Sequence, residues 1–92
     1  MNIIRTVDQL REKLLIHRSK KNSIGLVPTM GSLHEGHPSL VQRSVAENDL
    51  TVVTIFVNPL QFNSAEDLEK YPRDENRDFE LLRRLSVNIV FA

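Results

Sequence analysis

Seven residues in the middle of the chain, Thr51-Val52-Val53-Thr54-Ile55-Phe56-Val57, set the tightest limit on its fold. They are β-branched and almost wholly apolar, which suits a strand covered on both faces at the centre of a sheet. Ile24-Gly25-Leu26-Val27-Pro28 has the same uniform apolarity and predicts a second strand buried on both faces. Between and around these runs the apolar spacing is helical. Thr6 reads as an N-cap with Gln9 as its capping-box partner, and Val7, Leu10 and Leu14 follow on one face, so a helix spans about 6–20. Leu40, Val41, Ser44 and Val45 form the inward stripe of a second helix that begins near 35–38 and stops at Asn48-Asp49. Phe79, Leu82 and Leu85 mark a third over about 74–85.

Ile3-Ile4 is a short apolar start, and Val87-Asn88-Ile89-Val90-Phe91 reads as a closing strand. Residues 58–74 form a connection of roughly 17 residues, with a helical turn expected at Ala65–Glu69. Loops of that length are often functional. Strands alternating with helices predict an α/β fold, a parallel sheet with right-handed crossovers and flanking helices. Ligands of such sheets bind beyond the carboxyl ends of the strands. Met30–His37 and Asn58–Phe62 follow the ends of the two main strands, so both fall on that rim.

Composition removes several functions. Lys plus Arg equals Asp plus Glu, at 12 each, which gives no basic field for nucleic acid. The absence of cysteine excludes disulfides and thiolate chemistry and fits a reducing cytosol. No apolar run approaches the ~20 residues of a membrane span, and Met1-Asn2-Ile3-Ile4-Arg5 lacks a signal-peptide core. The chain stops at Ala92 directly after an apolar strand. The expectation is a piece of a longer protein, or a sheet that a partner completes.

The chemistry gathers in Val27-Pro28-Thr29-Met30-Gly31-Ser32-Leu33-His34-Glu35-Gly36-His37-Pro38. A helix N-terminus there offers unpaired N–H groups and partial positive charge to an anion. Gly31 and Gly36 carry no side chain where a ligand could approach the backbone. His34 and His37 lie about one helical turn apart, so both imidazoles can face one phosphate. Donors so placed stabilise charge developing at phosphorus. Either histidine alone would be a plain loop or structural residue. The spacing His34-Glu35-Gly36-His37 is one residue short of the His-Glu-x-x-His zinc helix, and His17 lies elsewhere, so no metal site is expected. Pro38 is tolerated in a first turn, where its missing N–H has no helical partner.

Pro28-Thr29-Met30-Gly31-x-Leu33-His34-x-Gly36-His37 resembles the signature of the pantothenate synthetase (pantoate–β-alanine ligase) family. So do Ile55-Phe56-Val57-Asn58-Pro59-x-Gln61-Phe62, Glu66-Asp67-Leu68-x-x-Tyr71-Pro72-Arg73 and Val90-Phe91-Ala92, in the family's order and spacing. His34-Glu35-Gly36-His37 alone resembles only the "HIGH"-type motif of the wider nucleotidyltransferase group. The resemblance implies that residues 1–92 are the N-terminal part of a Rossmann-like nucleotide-binding domain without its C-terminal lid. It implies that ATP, accompanied by Mg²⁺, and pantoate form pantoyl adenylate, which the amine of β-alanine attacks to give pantothenate. His34 and His37 would be the catalytic pair. Met30, Gly31, His34, Gly36 and His37 would bind ATP. Met30, Asn58, Gln61, Phe62 and Tyr71 would hold pantoate, and Asp78 is a weaker candidate for a carboxylate near the metal. A cytoplasmic homodimer is implied as well.

Each residue has a plainer counterpart. Met30, Phe62 and Tyr71 suit packing, Asn58 a turn, Gln61 a solvated loop, Arg73 an ion pair, and Asp78 a solvated helix carboxylate. Pro38 departs from the family, which usually has an apolar, non-proline residue there. The family's second glutamine, its lysine loop resembling "KMSKS" and its lid are absent from these residues, so the piece alone is expected to have little or no ligase activity. Two other readings stand beside this one. One is another nucleotidyltransferase sharing the histidine turn. The other is a non-catalytic remnant or interaction module that keeps the sheet.

Overall fold

The computed structural model describes residues 1–33 and 36–92. Among the described residues four parallel strands form one sheet: β1 (Asn2–Ile4), β2 (Ile24–Thr29), β3 (Leu50–Ile55) and β4 (Ile89–Phe91). Their spatial order is β1-β4-β3-β2. The helices are α1 (Val7–Ser19), α2 (Gly36–Glu47), α3 (Ala65–Lys70) and α4 (Glu75–Arg84), with a 3₁₀ turn at Pro59–Gln61. The α/β class read from the alternation is the one observed, and Ile3-Ile4 supplies a fourth strand beside the three main ones.

The caps explain the helix boundaries. Thr6 Oγ1 accepts from the N–H of Gln9, Ser64 Oγ from that of Asp67, and the Asp74 carboxylate from that of Arg77. Each satisfies a first-turn donor that has no intrahelical partner. Lys21, at φ 60°, takes the left-handed turn that follows α1.

The path from β1 to β2 crosses the sheet one way, and β2 to β3 to β4 returns. Right-handed connections then put α1 on one face and α2 and α4 on the other. The core divides accordingly. Val27, Val53 and Val90 pack with Val41 of α2 and Phe79 and Leu82 of α4. Ile4, Leu50, Val52 and Ile89 pack with Leu10 and Leu14 of α1. Full burial of side chains such as Leu82, Val53 and Val90 contributes about 1.5–3 kcal/mol each.

Three expectations need correction. Ile24–Pro28 is an edge strand and is not buried on both faces: Leu26 is 63% exposed. β3 is central, as its composition predicts, but α1 leaves Leu26 of β2 uncovered. An apolar groove lined by Leu10, Leu14, Ile24, Leu26, Val52 and Phe91 runs along that side. Leu40 does not belong to the inward stripe of α2. It is 59% exposed, and the inward row runs from buried Val41 through half-buried Ser44 and Val45 to Asn48, just past the end of the helix, at i, i+3, i+4 and i+7. Asp78 is not a solvated helix carboxylate, because it is buried in α4.

Polar groups fix the close approach of α2 to the sheet. Ser44 Oγ lies 2.8 Å from Thr51 Oγ1, and the N–H of Thr51 donates to Asn88 Oδ1. Gly25 lets α2 approach: a Cβ there would run into Ser44 Oγ and Asn48 Nδ2.

Candidate active site

The carboxyl ends of β2 and β3 open onto one cavity of about 530 Å³. That is ample for a small-molecule ligand. Pro28, Thr29, Met30 and Gly31 line it from the end of β2, and Thr54, Phe56, Asn58 and Gln61 from the end of β3 and the 3₁₀ turn. His37 and Tyr71 line it as well. Six of the residues singled out from sequence therefore meet: Met30, Gly31, His37, Asn58, Gln61 and Tyr71.

The loop after β2 is held by specific bonds. Thr29 Oγ1 donates to the Thr54 carbonyl at 2.9 Å and accepts from the Gly31 N–H at 3.2 Å. Gly31 has φ 76° and Ser32 φ 50°, so the chain makes two successive left-handed steps. Gly31 takes such a conformation without a Cβ penalty. Consecutive N–H groups in such a turn form a concavity suited to an anion. Here the anion is internal: Asp78 Oδ2 and Oδ1 accept from the N–H groups of Ser32 and Leu33, both at 3.0 Å. The N–H groups of Gly31, Ser32 and Leu33 are thus engaged within the protein. Gly31 can still let a ligand come close, because it has no side chain.

The N-terminal end of α2 is a second place where an external anion would meet partial positive charge. The first turn of α2 carries no acidic side chain, so nothing within it cancels the positive end of its dipole. Gly36 is its first residue, and His37, partly exposed, is its second. Pro38 sits in the same first turn, as expected of a proline there. His34 and Glu35 lie outside the described residues, and with them one half of the histidine pair.

On the opposite wall, Asn58 Oδ1 accepts from the Leu60 N–H at 3.0 Å and caps the 3₁₀ turn. That bond uses only the carbonyl oxygen of the carboxamide. Gln61 ends the turn with an exposed side chain. Phe62 is not among the residues lining the cavity. It packs edge-on against Tyr71, with ring centroids 5.3 Å apart, and Tyr71 Oη donates to the Gly31 carbonyl at 3.5 Å. Arg73 takes part in none of the ion pairs among the described residues. It lines a second hollow of about 370 Å³, which Met30 and Gly31 line too. Among the described residues no group of three His, Cys, Asp or Glu side chains is placed to hold a metal ion.

Sequence reasoning misses Thr29 here and misreads Asp78, which it names only as a solvated carboxylate or one near a metal. Thr29 enters it only as part of a motif, although a hydroxyl at the last position of a strand can tie the strand to its loop. Asp78 carries a clearer signal. It lies four residues before Leu82 and seven before Leu85, on the apolar stripe of α4, where a solvated carboxylate does not belong.

A model of the family described as pantoate-beta-alanine ligase matches residues 2–92. A pantothenate synthetase from Brucella anthropi is 60% identical over all 92 residues, and one from Thermotoga neapolitana is 55% identical over 91. The chain spans 32% of the length of each. Among solved structures, pantothenate synthetase from Thermus thermophilus superposes with a TM-score of 0.88 at 46% identity, covering the whole of this chain and 32% of that one. Pantoate-beta-alanine ligase from Francisella tularensis, complexed with beta-gamma ATP and beta-alanine, also has a TM-score of 0.88. It is 42% identical and covers 99% of this chain and 34% of that one.

Proposed function

The chain belongs to the pantoate–β-alanine ligase family, and on that premise we propose that its cavity is the nucleotide and pantoate half of an ATP-dependent ligase site. The observation that carries this reading is the meeting of two chemistries in one cavity. His37, at the start of α2, offers donors to phosphate, while Gln61 and Asn58 offer carboxamides to a hydroxy acid. A nucleotide phosphate and a carboxylate brought side by side can react.

In this reading a pantoate carboxylate oxygen attacks the α-phosphorus of ATP. The new O–P bond forms pantoyl adenylate as the bond to pyrophosphate breaks. His37 and the first amides of α2, with His34, stabilise the charge spread over the phosphate oxygens. Gln61 and Asn58 orient pantoate through its hydroxyl and carboxylate groups, and Met30 and Tyr71 bound its apolar part. The amine of β-alanine then attacks the acyl carbon. A C–N bond forms, AMP leaves, and the nitrogen gives up a proton. Holding the two reactants in line supplies much of the rate of such a step. Mg²⁺ accompanies ATP as part of the substrate, and the working unit is a cytosolic homodimer, as the family resemblance implies. Because the 92 residues span about a third of their relatives, the chain by itself binds substrates but forms little or no amide.

Calorimetric titration with Mg-ATP and with pantoate tests the reading. The parent chain binds both, His37→Ala loses ATP first, and Gln61→Ala loses pantoate first. Absence of heat with either ligand would contradict it, and amide formation at the rate of a full-length relative would contradict the division of labour.

A further inference from the structure

A buried carboxylate needs a reason. Asp78 is 4% exposed. Among the described residues no lysine or arginine pairs with it. Its two oxygens instead accept the N–H groups of Ser32 and Leu33, from 46 and 45 residues away in sequence. Buried charge without a counter-ion is tolerated only where hydrogen bonds to it are well made. These bonds meet the chain between the end of β2 and the start of α2, just where the direction of the helix entry is decided. Gly31 packs against the same carboxylate: a Cβ there would lie 3.1 Å from Asp78 Oδ2.

We infer that Asp78 is a positioning residue for the anion-binding end of α2. By filling the concavity made by the two left-handed residues, it fixes Ser32 and Leu33 and so fixes where Gly36 and His37 begin the helix. It touches no nucleotide. It occupies a loop concavity that would otherwise compete for phosphate, leaving the phosphates to α2. The inference rests on the proposed ATP site for its consequence, but the geometry it asserts is independent of that reading.

Asp78→Asn is the discriminating change. It keeps the shape of the side chain but turns an NH₂ toward one of the two N–H donors, so only one bond survives. Two readouts are taken on the 92-residue chain: amide resonances, and affinities for Mg-ATP and pantoate. The expected result is displacement of the Gly36 and His37 resonances together with those of Ser32 and Leu33. ATP affinity falls tenfold or more, and pantoate affinity stays within about twofold. Unmoved Gly36 and His37 resonances would overturn the inference, as would equal losses for both ligands, the mark of a merely structural carboxylate. If the variant does not fold, hydrogen exchange in the parent decides. Ser32 and Leu33 amides protected like those of β3 support the clamp, and exchange at loop rates overturns it. A parent chain that binds no ATP would sink the proposed function, while the Gly36 and His37 resonances would still judge the clamp.

Discussion

Replacing Thr29 by valine removes one oxygen from the cavity wall and leaves the shape almost unchanged. The hydroxyl it removes is 8% exposed at the residue level and serves two backbone groups at once, the Thr54 carbonyl and the Gly31 N–H. Gly31 is itself buried, so its N–H is left without an acceptor. A buried donor stranded in this way costs about 1–3 kcal/mol, and the bond lost at the carbonyl about another 0.5–1.5. The added methyl returns up to about 0.8 kcal/mol. The expected net loss is about 2 kcal/mol, which in a domain of this size lowers the thermal midpoint by about 10 °C. Thr29→Ser is the control: it keeps both bonds, gives up one methyl and costs about 1 kcal/mol or less. Urea and thermal unfolding of the three proteins check the order parent, serine, valine. A valine variant at least as stable as the serine variant would refute the role given to the hydroxyl, and with it the account of how the loop after β2 is tied down.

Gly25→Ala should destabilise the chain by about 1–3 kcal/mol, since the new Cβ meets Ser44 Oγ and Asn48 Nδ2. The loss should shrink in a Ser44→Ala background, as a double-mutant cycle by urea unfolding would show. Acid stability carries a small signature of Arg5 and Glu75, whose side chains form a two-pronged ion pair with both N···O distances 2.9 Å. The hydrogen bond from Arg5 holds the Glu75 carboxyl below its usual value of 4.5, with burial opposing and charge attraction adding. A carboxyl depressed in the folded state stabilises above its unfolded value and loses that contribution as pH falls through its folded value. Glu75→Gln should therefore be slightly less stable than the parent near pH 7, and the gap should close in acid. Both side chains are about half exposed, so the gap is small and shrinks with salt.

Local patterns made the elements legible. Uniform apolarity found β3, and three helices declared themselves through a cap or a spaced stripe, Thr6 for α1 and Phe79 with Leu82 for α4. Position within the sheet was legible for β3 but not for β2. Ile24–Pro28 and Thr51–Val57 have the same character, and only long-range pairing makes β2 an edge. The gathering of Met30, His37, Asn58 and Gln61 was foreseeable, because parallel strands bring their carboxyl ends to one rim. The support behind them was not. Phe62 backs Tyr71 instead of lining the cavity, and Asp78 finds its partners 45 and 46 residues away. No local spacing encodes such contacts, although an acid on an apolar stripe hints that one exists.

The most direct test of the shared cavity is amide and side-chain resonance mapping on the isotopically labelled chain, titrated first with pantoate and then with Mg-ATP. Pantoate should move the side-chain amides of Gln61 and Asn58, and the nucleotide should move Gly36 and His37. The second set should respond more strongly when pantoate is already bound. Shifts that gather instead around Leu10, Leu14 and Leu26, on the far face of the sheet, would contradict the account.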